Sequence, residues 1–103
     1  SMTLEETLVS VWRQILVEHA GTAEIDGVKY PAARTSTTRL WQVDFNFEGR
    51  PLRGIEQNPN TKSRWAQLAR SGKRVMQFLD GGHYLAVVVD GKVTLYGKTK
   101  IAR

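Results

Sequence analysis

The sequence contains no cysteine and only two histidines among its 103 residues. Without cysteine the chain cannot form disulfide bonds, thiolate metal sites or a cysteine nucleophile. His19 and His83 do not have the His-x-x-x-His spacing of a helical zinc site. We therefore predict no metal site and no cofactor.

Long apolar runs are also missing. No segment approaches the ~20 apolar residues that span a bilayer, and no basic segment precedes an apolar run as it does in a secretory signal. Ser1 before Met2 resembles a cloning remnant. We therefore expect a cytoplasmic protein with no membrane partner, and the lack of cysteine fits a reducing compartment.

Length and composition are those of one globular domain, which we place over residues 1–103. The net charge of +5 is unevenly distributed. Residues 1–49 hold four basic and seven acidic side chains, whereas residues 50–103 hold eleven and three. This asymmetry favours an acidic partner such as nucleic acid or another polyanion. A soluble protein with a basic surface explains it as well, so both interpretations remain open.

Two segments have the pattern of amphipathic helices. Thr3 and Glu6 have the spacing of a capping box, and apolar residues then recur at helical intervals, which predicts a helix over residues 4–19. A second helix is expected to begin within residues 58–61, because Asn58 and Thr61 are good N-caps, and to end at Gly72.

The remaining segments predict short strands. Apolar residues alternate with polar ones over residues 40–47, and three Asp-Gly pairs indicate hairpin turns beginning at Asp26, Asp80 and Asp90. Residues 32–38 are small and polar and predict a loop or an edge, since Pro31 interrupts the preceding strand. Residues 98–103 are expected to form a basic tail.

Together these elements predict an α+β fold. We expect a mostly antiparallel sheet of five to six strands, with both helices packed on one face, in the order α-β-β-β-α-β-β-β. Two weak internal matches suggest a tandem α-β-β-β duplication. Residues 10–15 resemble residues 63–68, and residues 25–30 resemble residues 79–84, at nearly the same offset.

The second half of the chain contains the strongest candidate for a binding surface. Lysine and arginine make most phosphate contacts, and a helix start with free N–H groups also favours an anion. The candidate nucleic-acid-binding residues are Arg50, Arg53, Lys62, Arg64, Arg70, Lys73 and Arg74. His83, Tyr84 and Tyr96 are candidates for stacking on bases. Alternatively, the arginines are a solvated helix face and the tyrosines pack internally.

Two smaller constellations have weaker signals. Residues 34–39 place four hydroxyl side chains between Arg34 and Arg39, a combination that could bind phosphate or carboxylate oxygens, or simply form a polar edge. Asp80 and His83 could form a carboxylate–imidazole pair for general base catalysis. Because they flank Gly81-Gly82, a hairpin turn is the favoured interpretation.

The sequence thus leaves three classes of function in competition. The first is a polyanion-binding module that uses the basic second half. The second is a protein-interaction or self-associating module, such as a homodimer joined through a sheet edge or through the apolar face that carries Trp41 and Phe45. An enzyme is the least favoured class, and we predict no catalytic residues.

Overall fold

The structure is a computed structural model that describes residues 2–36, 39–62, 64–80, 83–89 and 93–100. Its helical elements are α1 (Leu4–Trp12), a π-helical segment (Arg13–Val17) and α2 (Arg64–Arg70). Its strands are β1 (Thr22–Ile25), β2 (Val28–Arg34), β3 (Trp41–Phe47), β4 (Arg50–Glu56), β5 (Arg74–Asp80), β6 (His83–Val89) and β7 (Val93–Lys100). The α+β class with an antiparallel sheet is confirmed.

Helix α1 begins where the capping box predicts. The Thr3 N–H donates to Glu6 Oε1 at 2.9 Å, and the Glu6 N–H donates to Thr3 Oγ1 at 3.2 Å. The bond from the Thr3 backbone, followed by that from its side chain, lowers the pKa of the Glu6 carboxyl below its usual value. Two free N–H groups at the helix start are therefore satisfied reciprocally.

The first helix changes geometry before it ends. After Trp12 the hydrogen bonds widen to the π pattern, and the Glu18 N–H donates to the Arg13 carbonyl at 3.0 Å. The prediction of one regular helix over residues 4–19 is therefore wrong beyond Trp12. Ile15 and Leu16, in the π-helical segment, remain fully buried, so the wider turn keeps the apolar stripe directed at the core.

The sheet is a sequential antiparallel meander, ordered β1-β2-β3-β4-β5-β6-β7. This is one strand more than the predicted maximum of six. Residues 32–34, expected in a loop or edge, extend β2 past Pro31, and residues 98–100, expected in a tail, belong to β7. In both places pairing with a neighbouring strand overrides weak local propensity.

One face of the sheet packs on α1, and we call it the inner face. On β3, β4 and β5 it carries alternating apolar side chains, and their exposed fractions are 3% or less. These residues are Val43, Phe45, Leu52, Met76 and Phe78. α1 contributes Leu8, Val11 and Trp12 to the same core and also approaches β6 and β7. Burial of each large side chain contributes roughly 1.5–3 kcal/mol to stability.

Helix α2 packs on the opposite, outer face. It contacts β5, where Val75 is 1% exposed, and its Ala66 is fully buried. Neither residue belongs to the core around α1. Since successive strand residues point to opposite faces, Val75 lies across the sheet from Met76. The prediction that both helices share one face is therefore wrong.

The structure does not show the duplication suggested by the internal matches, because four strands follow α1 and three follow α2. Of the residues predicted in hairpin turns, Gly81, Gly82 and residues 90–92 lie outside the described part of the chain. Among the described helices, none is both long and apolar enough to cross a bilayer.

Candidate functional site

Several basic residues lie at one end of the sheet, where β2 and β4 end and β3 and β5 begin. We call this the basic end. It comprises the loop between β2 and β3, the segment between β4 and α2, and the turn before β5. Its basic residues are Arg34, Arg39, Lys62, Arg70, Lys73 and Arg74.

The loop between β2 and β3 is built by its own backbone. The Thr35 N–H donates to the Leu40 carbonyl at 3.0 Å, and the Arg39 N–H donates to the Thr35 carbonyl at 3.0 Å. Arg39 has a φ of 57°, in the left-handed region. This turn brings Arg34 and Arg39 together, and the Arg34 Nη1 donates to the Arg39 carbonyl at 2.6 Å.

Arg34 is also oriented by an aromatic ring. Its guanidinium carbon lies 3.9 Å from the ring centroid of Trp41, its cross-strand partner. The backbone N–H of Trp41 in turn donates to Glu56 Oε1 at 3.1 Å. A guanidinium over an indole ring is attracted to the ring's π face, so Trp41 favours this position of the Arg34 side chain.

A cleft of about 590 Å³, which we call the loop cleft, opens between these arginines. It is lined by Arg34, Thr35, Ser36 and Arg39. Arg34, Ser36 and Arg39 are exposed, and neither arginine forms an ion pair with a carboxylate in the described part of the chain. Two uncompensated guanidinium groups and a hydroxyl are a donor set suited to phosphate oxygens.

The loop cleft adjoins a second depression of about 300 Å³. Leu40, which directly follows Arg39, lines this depression together with Pro59, Ala69, Lys73 and Arg74. The turn before β5 therefore lies beside the loop between β2 and β3. Positively charged side chains from two segments that are far apart in sequence therefore lie near Leu40: Arg39 precedes it, and Lys73 and Arg74 line the same depression, together with Glu56.

Two arginines at this end bind the protein itself. Arg74 Nη2 lies 3.1 Å from Glu56 Oε2, and its Nη1 donates to the Leu16 carbonyl. Arg70 Nη1 donates to the carbonyls of Pro59 at 2.9 Å and Thr61 at 2.7 Å. These contacts hold the π-helical segment and the segment before α2 in place. Arg70 and Arg74 therefore have fewer N–H groups left to donate to a ligand.

Arg50 and Arg53 lie elsewhere. Arg50 begins β4, whereas Glu56 ends this strand at the basic end. At 3.3 Å per residue the two ends of β4 are about 20 Å apart. Arg50 Nη2 lies 3.4 Å from Asp80 Oδ2. Arg53 donates to both carboxylate oxygens of Asp44, at 2.7 and 3.3 Å, and this bond raises its pKa. The structure does not bring these two arginines into the basic end.

Some of the other sequence candidates lie in the described part of the structure and some lie outside it. Lys62 is exposed at the basic end, and Asp80, paired with Arg50, faces His83 across the β5–β6 ladder. The side chains of Arg64, Tyr84 and Tyr96, and the residues Ser63, Thr37 and Thr38, lie outside the described part of the structure. Among the described residues, no group of three or more His, Asp and Glu side chains lies close enough together to hold a metal ion.

Sequence reasoning found Arg34 and Arg39 but missed Trp41 as the partner of Arg34. The strand register could have identified this partner. If residues 32–34 belong to a strand, the hairpin with β3 pairs position 34 with position 41. Comparison of the chain with family models, curated proteins and solved structures finds no match. Functional inference therefore rests on geometry and charge.

Proposed function

We propose that this protein binds a phosphate-bearing polyanion, such as nucleic acid, at the basic end, with Arg34 and Arg39 at the centre of the contact. One observation carries the proposal: two exposed arginines, with no carboxylate partner among the described residues, flank the loop cleft of about 590 Å³. By contrast, Arg50, Arg53 and, within the basic end, Arg74 form ion pairs with acidic residues.

The form of the site favours a ligand with several charges. Exposed single ion pairs contribute little affinity in water, so one phosphate in an open cleft is bound weakly. A polyanion can contact Arg34 and Arg39 with neighbouring phosphates, and each neutralised phosphate releases a counterion. The guanidinium of Arg34, which lies over the Trp41 ring, adds a planar, directional donor to this electrostatic attraction.

The test is fluorescence anisotropy with labelled single- and double-stranded oligonucleotides across a range of salt concentrations. The double variant Arg34→Ala/Arg39→Ala should weaken binding about tenfold or more and reduce the slope of log affinity against log salt by about 1.5–2, because two phosphate contacts disappear. The matched control is Lys29→Ala/Arg53→Ala, which removes the same charge away from the basic end.

The affinity of the control variant should be close to that of the unaltered protein. Equal losses in the two double variants would show that only net charge matters, and the site would be wrong. No binding of either oligonucleotide at low salt would overturn the function itself.

Self-association is the alternative function, and it makes a different prediction. A homodimer formed through a sheet edge buries backbone groups and apolar area, so its stability should depend weakly on salt. Sedimentation velocity over a range of protein concentrations distinguishes the two functions. A concentration-dependent dimer that binds no oligonucleotide would favour this alternative.

A further inference from the structure

Ser36 lies in a turn outside the paired strands. The ladder between β2 and β3 ends at Arg34, and the chain turns immediately beyond it. The Arg39 N–H donates to the Thr35 carbonyl at 3.0 Å. Because this bond joins residues four apart, it closes a single α-turn. Ser36 is the second residue of this α-turn, and it is exposed.

The α-turn places Ser36 beside both arginines of the loop cleft. Ser36 and Arg39 are three residues apart, the spacing at which side chains on one helical turn are neighbours. Arg34 reaches the same point, because its Nη1 donates to the Arg39 carbonyl at 2.6 Å. All three residues line the loop cleft of about 590 Å³. A serine hydroxyl and two guanidinium groups therefore share one cleft.

Ser36 is the hydroxyl residue that the geometry singles out. Thr35, which also lines the loop cleft, is half-buried, and residues 37–38 lie outside the described part of the chain. Ser71 also follows an arginine directly, but it does not line the loop cleft. The guanidinium of that arginine, Arg70, already donates to two backbone carbonyls.

We propose that Ser36 is a phosphorylation site, and that Arg34 and Arg39 bind the phosphoryl group that it receives. The reaction is phosphoryl transfer from a nucleoside triphosphate, catalysed by a protein kinase. The Ser36 Oγ forms a bond to the γ-phosphorus, the bond from that phosphorus to the bridging oxygen breaks, and a nucleoside diphosphate leaves. The hydroxyl proton passes to a base of the kinase. Arginines on both sides of the serine fit a kinase whose substrate-binding surface is acidic.

The phosphoryl group matches the loop cleft in charge. A phosphoserine carries about −1.5 to −2 charges at pH 7, and the guanidinium groups of Arg34 and Arg39 together carry two positive charges. Neither arginine has a carboxylate partner among the described residues. Phosphoserine opposite such a pair accepts charge-assisted hydrogen bonds and orders the loop that carries it. Because the phosphate is attached to the same turn, its effective concentration at the arginines is about millimolar or higher.

Phosphorylation would also act as a switch, and this part of the inference rests on the proposed polyanion binding. A phosphate held in the loop cleft cancels the positive charge of Arg34 and Arg39 and occupies their N–H donors. The polyanion then loses the two contacts at the centre of its site. Phosphorylation of Ser36 should therefore release the bound polyanion, and removal of the phosphate should restore binding.

The switch is tested with protein that carries phosphoserine at position 36, introduced during translation. In fluorescence anisotropy its affinity for an oligonucleotide should fall about tenfold or more, and the slope of log affinity against log salt should fall by about 1.5–2. Addition of Arg34→Ala/Arg39→Ala to the phosphorylated protein should cause little further loss, because both changes remove the same contacts. Asn46→phosphoserine adds the same charge at an exposed position near the other end of β3, and it should leave the affinity nearly unchanged.

Arginine side-chain NMR tests the phosphate contact without any oligonucleotide. In the protein with phosphoserine at position 36, the Nε–H resonances of Arg34 and Arg39 should shift and exchange more slowly with water. The Nε–H resonance of Arg53, which is paired with Asp44, should not change. If the unmodified protein binds no oligonucleotide, polyanion binding is wrong, but this measurement still decides whether Arg34 and Arg39 hold the phosphate.

A kinase assay tests whether the folded loop accepts phosphate. The intact protein and a peptide of residues 30–42 are each incubated with ATP and a serine/threonine kinase that selects arginine-flanked serines. Mass spectrometry then locates the phosphate. Ser36 should be modified in both, and Ser36→Ala should remove this modification. In the intact protein Ser71 should be modified less than Ser36.

Three outcomes would overturn the proposal. One is the absence of phosphate on Ser36 in the intact protein, whether or not the peptide is modified. Another is unchanged Arg34 and Arg39 resonances in the phosphorylated protein, which would show that the cleft does not hold the phosphate. The third concerns the switch: equal oligonucleotide binding with and without the phosphate, or losses that add to those of Arg34→Ala/Arg39→Ala, would show that the phosphate does not act through these two arginines.

Discussion

The side-chain amide of Gln14 makes both hydrogen bonds that a neighbouring strand would make with Glu24. Its Oε1 accepts from the Glu24 N–H at 2.7 Å, and its Nε2 donates to the Glu24 carbonyl at 3.1 Å. Glu24 lies in β1, the first strand of the sheet, paired only with β2. Unpaired edges invite association with other chains, and here a side chain from the π-helical segment occupies the edge.

Replacement of Gln14 by alanine should therefore have two effects. Two hydrogen bonds to backbone groups are lost, which should lower the free energy of unfolding by about 1–3 kcal/mol. The free edge of β1 should also promote concentration-dependent association. Urea denaturation and sedimentation velocity measure these effects, with Gln67→Ala, at an exposed site on α2, as the control. Unchanged stability in Gln14→Ala would contradict the structural role of this amide.

Gly54 and Phe78 are predicted to form a steric pair. A Cβ atom at position 54 would lie 2.6 Å from Phe78 Cε1 and 3.0 Å from Met76 Sδ. Because Phe78 is 1% exposed, its ring has little room to move. Gly54→Ala should therefore destabilise the protein by about 1–3 kcal/mol through overpacking. In a Phe78→Leu background the same change should cost less, and a chemical-denaturation cycle that shows additive effects would contradict the pair.

The ion pair between Glu56 and Arg74 should matter more than those at the surface. Only 11% of the Glu56 side chain is exposed, and its second oxygen accepts a hydrogen bond from the backbone N–H of Trp41. Glu56→Ala leaves Arg74 partly buried without its carboxylate, so we expect a loss of about 2–3 kcal/mol in thermal or chemical unfolding. Glu56→Gln should lose less, because an amide oxygen can still accept from Trp41. Equal losses in the two variants would show that the hydrogen bond to Trp41 contributes little, whereas a Glu56→Gln variant as stable as the unaltered protein would show that the charge is unimportant.

The capping box should make stability depend on pH. Because the folded state lowers the pKa of Glu6, its ionised form stabilises α1 at pH values above the ordinary carboxyl pKa of 4.5. That stabilisation is lost as the pH falls through the lower folded pKa. The difference in unfolding free energy between the unaltered protein and Glu6→Gln should therefore shrink on acidification. Glu5→Gln changes the same charge outside the capping box and should not reproduce this trend.

Local signals predicted the parts of the fold that depend on neighbouring residues. The capping box at Thr3 and the alternation through Phe45 and Phe47 are short-range patterns, and the structure has the corresponding helix start and strand. Asp26-Gly27 likewise lies between two paired strands. These elements were predictable because each is stabilised by contacts within a few residues.

Features that depend on distant residues were not predictable. The side of the sheet that α2 covers is decided by Val75 and not by the helix alone. The continuation of β2 beyond Pro31 depends on Trp41, which pairs with Arg34 from across a loop. The predicted basic set was chosen by charge alone, but Arg50, Arg53 and Arg74 form ion pairs with Asp80, Asp44 and Glu56. Arg34 and Arg39, at the centre of the proposed site, came from the weaker candidate at residues 34–39. A count of charged residues in the sequence does not show which acidic residue pairs with which arginine.

The sequential order of the strands has a consequence for how the chain folds. Every strand pairs with the strand next to it in the sequence, so the sheet can grow hairpin by hairpin with short loops to close. α1 is different, because it approaches both β1 and the distant β6 and β7. The apolar stripe of α1 is therefore fully covered only after β6 and β7, which follow it by more than 65 residues, have been synthesised and have joined the sheet. Completion of the core around Trp12 is therefore expected to be the slow, topologically non-local step of folding.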